Sequence, residues 1–152
     1  MRFLCLQHQR AYYHLSDDNL VEQWVSWMHS AGVCYQCDDW QKALSFAGSA
    51  YDLAQIRLDK SAEHRADSMA QVTLSAIYLA NIFQHMGHLC ESRNTLMLAG
   101  ECLRCFDHTH DADCANEMLA CLNQDHLRDQ LISRFLNLPY RPFRMPGWAK
   151  LH

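Results

Sequence analysis

Proline is absent from the first 138 residues of this chain and then appears three times, at Pro139, Pro142 and Pro146. Proline removes a backbone N–H and clashes with the preceding helical turn, so so long a run without it, rich in Ala, Leu, Gln and Met, predicts an all-α fold. A chain of 152 residues is one domain's worth and can bury most of its surface around a single core. The prolines divide it into a single all-helical domain over residues 1–138 and an extended basic and aromatic tail over 139–152.

Apolar periodicity fills in the elements. A short helix is expected over residues 2–14, with Phe3, Leu4, Leu6, Tyr12 and Tyr13 available for burial. Ser16, Asp17 and Asp18 then form a cap and acidic first turn for a helix over 17–36, in which Leu20, Trp24, Trp27 or Met28, Ala31 and Tyr35 share a face. Asp38 and Asp39 offer the next cap. From Trp40 an amphipathic stripe runs through Ala43, Ala47, Ala50, Ala54 and Leu58. After a polar stretch over 59–67, Met69, Val72, Ala76, Ala80 and Phe83 mark a helix that stops at Gly87, and Leu89, Leu96, Ala99 and Leu103 mark its partner. Two shorter helices are expected over 113–123 and 125–137.

Charge is unevenly placed. Residues 1–123 carry eight Lys/Arg against fifteen Asp/Glu, whereas residues 124–152 carry five against two. An acidic body argues against nucleic acid as the main partner, and the basic tail is suited to an acidic surface on its own body or on a neighbour. The opening apolar run, Phe3 to Leu6, is too short for a signal-peptide core. The most apolar stretch, Leu74 to Phe83, is interrupted by Ser75 and Asn81 and falls short of a membrane span. A cytoplasmic setting with reduced thiols is therefore the expectation.

One phrase occurs twice. Leu79-Ala80-x-x-Phe83-x-x-x-Gly87-x-Leu89-x-x-Ser92-x-x-x-Leu96-x-x-Ala99 is its fuller copy, and Ala31-Gly32-x-x-Tyr35…Trp40-x-x-Ala43-x-x-x-Ala47-x-x-Ala50 its looser one, with a turn one residue shorter. Small and aromatic residues at these spacings let two antiparallel helices pack closely. The phrase resembles the tetratricopeptide repeat family: Leu79 and Ala80 match its Leu-Gly, Phe83 its aromatic, and Ser92, Leu96 and Ala99 its small–large–small series. Ala43 and Ser92 are 49 residues apart, more than that family's repeat of about 34, and neither copy has the closing proline. The resemblance implies helical hairpins stacked as a short right-handed superhelix, with a concave face that binds a peptide or protein segment. Small bacterial secretion chaperones are one subgroup of that family.

Several constellations bear on chemistry. Cys34-x-x-Cys37 and Cys102-x-x-Cys105 are paired thiols, and the second pair is followed by His108, His110 and Cys114. Cysteines at i and i+3 share a helix face, so Cys102, Cys105, His108 or His110, and Cys114 form the candidate zinc set. The alternatives are buried structural thiols and a thiol-redox site. The segment His108-Thr109-His110-Asp111-Ala112-Asp113 misses the H-x-H-x-D-H hydrolase pattern, and the ten histidines are scattered. No phosphate loop, nucleophile elbow or H-E-x-x-H helix is present, so enzyme activity is not expected.

The expectation is thus a non-enzymatic protein-interaction adaptor or chaperone-like scaffold, with a protein or peptide partner and no nucleic acid or membrane. Its candidate partner-binding residues are Trp24, Trp27, Tyr35, Tyr78 and Phe83 on the first helix of each pair, and Tyr140, Arg141, Phe143, Arg144 and Trp148 in the tail. Two tryptophans three residues apart cannot easily both be buried in one small core, so an exposed indole should mark the binding face. A small regulator with a zinc or thiol-redox site is the alternative, and a homodimer a third.

Overall fold

The computed structural model describes residues 2–106 and 109–143, and every regular element among them is a helix. The order is α1 (Leu6–Tyr13), α2 (Asp17–Gln36), α3 (Trp40–Lys60), α4 (Arg65–His85), α5 (Leu89–Arg104), α6 (Ala112–Asn123) and α7 (Asp125–Phe135). From α2 to α5 each helix packs chiefly on its neighbours in sequence. α6 closes over α4 and α5, α7 follows on α6, and α1 lies against α3. No helix among the described residues is long and apolar enough to cross a membrane.

Local chemistry sets these boundaries. Ser16 Oγ accepts the Asn19 N–H and Asp39 Oδ1 the Lys42 N–H, the cap bonds expected at the starts of α2 and α3. α2 and α4 both end in a left-handed residue, Asp38 (φ 57°) and Gly87 (φ 81°). In the first turn the Asp39 N–H returns to the Cys34 carbonyl (2.9 Å). In the second the His88 N–H returns to that of Phe83 (2.8 Å). This is the same Schellman closure twice. The two turns therefore have equal length, and Phe83 corresponds to Cys34 rather than to Tyr35. Pairing the two aromatics is what makes the first turn look one residue short.

α4 is the central helix. Every residue from Ser68 to Phe83 is buried, as expected of a helix covered on all sides. Its polar side chains are mostly satisfied locally: Ser68, Thr73 and Ser75 donate to carbonyls one turn back. Gln71 Oε1 is buried without a partner among the described residues, and Tyr78 and Asn81 bond beyond their own helix, as described below. The starts of α2 and α4 are tied to the end of α3 by Arg57. Its buried guanidinium donates to both carboxylate oxygens of Asp17 (2.8 and 3.0 Å) and to Asp67 (2.5 Å).

The N-terminal segment differs from the expected helix over 2–14, because helix begins only at Leu6. Buried Asp52 on α3 intercepts the backbone instead, its Oδ2 accepting the N–H groups of Phe3 (2.5 Å) and Leu4 (2.8 Å). Gly48, one turn earlier on α3, leaves space that the Phe3 ring fills.

Candidate functional site

The faces of α2 and α4 that meet beside the α2–α3 turn form an aromatic floor. The Tyr35 and Tyr78 rings stack at 5.0 Å, and Trp40 meets Tyr35 edge-on at 4.9 Å. The His85 ring lies parallel to Trp40 at 4.8 Å and edge-on to Tyr35. Burial, the main cause, raises the Tyr35 and Tyr78 phenols above their ordinary range, so both hydroxyls stay protonated.

Residues 138–143, which have no helical structure, lie across this floor. The Tyr78 hydroxyl donates to the Pro139 carbonyl (2.8 Å). The Tyr35 hydroxyl donates to Asn81 Oδ1 (2.5 Å) and accepts the Arg141 N–H (2.9 Å). Asn81 Nδ2 donates to the Arg141 carbonyl (3.0 Å), and His85 Nε2 lies 3.0 Å from the same oxygen. A carbonyl can only accept, which assigns the proton to Nε2. These side chains thus read main-chain atoms.

The Arg141 side chain is held as well. Its guanidinium sits 4.9 Å from the Tyr35 ring centroid and 5.5 Å from that of Trp40, and one nitrogen is 2.8 Å from Asp38 Oδ1. Phe143 meets His85 edge-on at 5.8 Å. Tyr140 is half-buried, and burial pushes its phenol up to about 12. The segment comes this close because Gly32 has no side chain: a Cβ there would lie 2.9 Å from Leu138 and 3.4 Å from Pro139. Asn137, left-handed at φ 48°, turns the chain from α7 into the groove.

Of the candidate partner-binding residues, Tyr35, Tyr78, Tyr140, Arg141 and Phe143 come together here. Trp24 does not: it is 3% exposed and belongs to the core. Trp27 is half-buried with its ring edge-on to Tyr12 at 5.5 Å, so neither indole stands out to mark a face. Phe83 is buried and stacks on His88. Arg144 and Trp148 lie outside the described residues. Asp38, Asn81 and His85 also belong to the site and are not among those candidates. Asn81 alone carried a signal, as an amide in the most apolar stretch of the chain.

The cysteine constellation is dispersed. Cys102 is half-buried on α5, Cys105 follows at its exposed end, His110 is exposed, and the Cys114 thiol on α6 faces the Ala66 carbonyl. His108 lies outside the described residues. Among those described, no three His, Cys, Asp or Glu side chains gather as a metal-binding set. Burial raises the Cys102 and Cys114 thiols above their ordinary range. All eight cysteines are free. No protein-family model, curated protein or solved structure matches this chain.

Proposed function

We propose that this chain is a non-enzymatic protein-interaction scaffold of the tetratricopeptide-like kind, and that the groove between α2 and α4 takes a peptide segment of a partner in extended form. One observation carries the reading. Side chains from two separate helices (Tyr35, Tyr78, Asn81 and His85) bond main-chain atoms of residues 139 and 141, alternate positions that an extended chain presents to one side. Groups that read backbone recognise a chain's conformation first and its side chains second. The successive hairpins α2–α3 and α4–α5, closed by the same turn, support the repeat-like arrangement.

The test is affinity capture from the native cell with the full chain and with a Tyr78→Phe/Asn81→Ala chain of unchanged helix content. The expected result is a partner retained by the first and lost from the second. Equal retention of every partner by both chains would overturn the assignment.

A further inference from the structure

We propose that residues 138–143 are a built-in competitor, and that the external ligand of the groove is an extended peptide of the same chemistry. It has an arginine two residues after a proline, flanked by aromatic residues, and an apolar side chain upstream. The inference rests on the reading of the groove as a peptide site and deepens it by naming the ligand class.

The arginine requirement comes from a socket that belongs to the groove. Asp38 supplies the carboxylate, and Tyr35 and Trp40 supply ring faces, so the guanidinium meets charge on one side and π-density on another. Asp38 is held in place by its left-handed position in the α2–α3 turn. The prolines suit the backbone pattern. Pro142 biases Arg141 towards extended conformations, and the one N–H that the groove accepts belongs to residue 141, between the two prolines.

The segment is open to solvent at Arg141 and Pro142. The side chains of Arg141 and Asp38 are 48% and 68% exposed, and Pro142 is exposed. Lifting it would uncover the Tyr35 and Tyr78 rings that are buried beneath it, while α2 and α4 remain packed on α3. The segment also leaves space unfilled. An open, mainly apolar depression of about 340 Å³ lies beside Leu138 and Pro139, lined by His29, Gly32, Val33 and Gln36 of α2 and by Cys37 just beyond it. In this chain Asn137 forms one wall of the depression, and from there the chain turns back into α7. A separate peptide has no such turn, and an apolar residue ahead of its proline would fill the space. The incoming ligand thereby gains a contact that the resident segment lacks.

The experiment uses the full chain, wild type and Arg141→Ala/Phe143→Ala, with a fluorescein-labelled peptide Leu-Pro-Tyr-Arg-Pro-Phe followed by anisotropy. Loosening the resident segment raises the fraction of open groove, so the double variant should bind at least about tenfold tighter than wild type. Replacing the peptide's arginine by alanine should remove that gain, and so should Asp38→Asn in the same background, which keeps a residue tolerant of the left-handed turn. Preceding the peptide with Ile-Gly rather than Gly-Gly should tighten binding further. Phe143→Ala alone, at the rim of the groove, gives the intermediate case should the double variant lose helix content. Equal binding of the arginine-free peptide overturns this inference while leaving the groove a peptide site. A double variant that pairs with a second copy rather than binding peptide overturns it too. If no peptide binds any of these chains, the function proposed above falls with it.

Discussion

Tyr35 and Asn81 act on Arg141 as one unit. The Tyr35 hydroxyl donates to the Asn81 amide oxygen and so turns its lone pairs towards the Arg141 N–H, while the Asn81 amide nitrogen donates to the Arg141 carbonyl. Together they offer one residue both the acceptor and the donor that a neighbouring β-strand would offer it. An aromatic ring and an amide on different helices do the work of a strand edge.

Tyr35→Phe keeps the ring stack on Tyr78 and removes this relay together with the 3.3 Å contact to His85 Nε2. It is expected to lower stability by about 1–2 kcal/mol. The Arg141 amide should exchange faster with solvent while the amides of α4 stay protected. Unchanged protection at Arg141 would mean that the hydroxyl does not hold it.

Arg57 makes stability depend on pH in a definite direction. The Asp17 carboxyl is held below its ordinary range, first by the hydrogen bond from Arg57. A depressed folded-state pKa stabilises the native chain above the carboxyl's ordinary value of about 3.9, and that contribution disappears as pH falls through the folded value. Arg57→Met should destabilise the protein by about 2 kcal/mol near neutrality, and the gap between variant and wild type should shrink on acidification. Asp52, whose carboxyl is raised by burial, contributes in the opposite sense but equally to both chains. Unfolding midpoints across the acid range measure the difference; a gap that stays constant with pH would remove Asp17 from this role.

Two glycines in helices should respond oppositely to alanine. At Gly100 a Cβ would meet only the flexible end of Arg104 at 3.5 Å, so Gly100→Ala should stabilise by about 0.5–1 kcal/mol through helix propensity. At Gly48 the new methyl would fall within the Phe3 ring. Gly48→Ala should therefore destabilise by about 1–3 kcal/mol and expose residues 2–5 to proteolysis. Denaturant titration of both variants checks the signs.

Thiol titration with an aromatic disulfide should resolve three classes. Cys5, Cys37, Cys90 and Cys105 are exposed and should react first; Cys34, Cys102 and Cys114 are half-buried; Cys121 is buried and should wait for unfolding. Early loss of Cys121 would contradict its packing between α6 and its neighbours.

The helices were legible because their signals are local. A long proline-free run, the caps at Ser16 and Asp39, and Gly87 lie within a turn or two of what they determine. The register between the hairpins was not, since Asp38 takes a left-handed place that is normally marked by glycine. The groove was legible only in part. Tyr35, Tyr78, Tyr140, Arg141 and Phe143 drew notice as aromatic or basic residues, but the bonds joining them cross 60 to 106 residues of chain. Contacts so distant leave no periodic trace. Trp24 and Phe83 misled for the complementary reason: a large ring on a helix has the same spacing whether it faces a partner or a core.

The missing side chain at Gly32 also has a consequence in time. It keeps a place on α2 for Leu138 and Pro139, which leave the ribosome more than a hundred residues later. Synthesis proceeds from the N-terminus, and early elements can fold while later ones are still being made. Both hairpins are complete before their clasp exists. The segment that covers the aromatic floor is therefore the last of the described parts of the groove to be made.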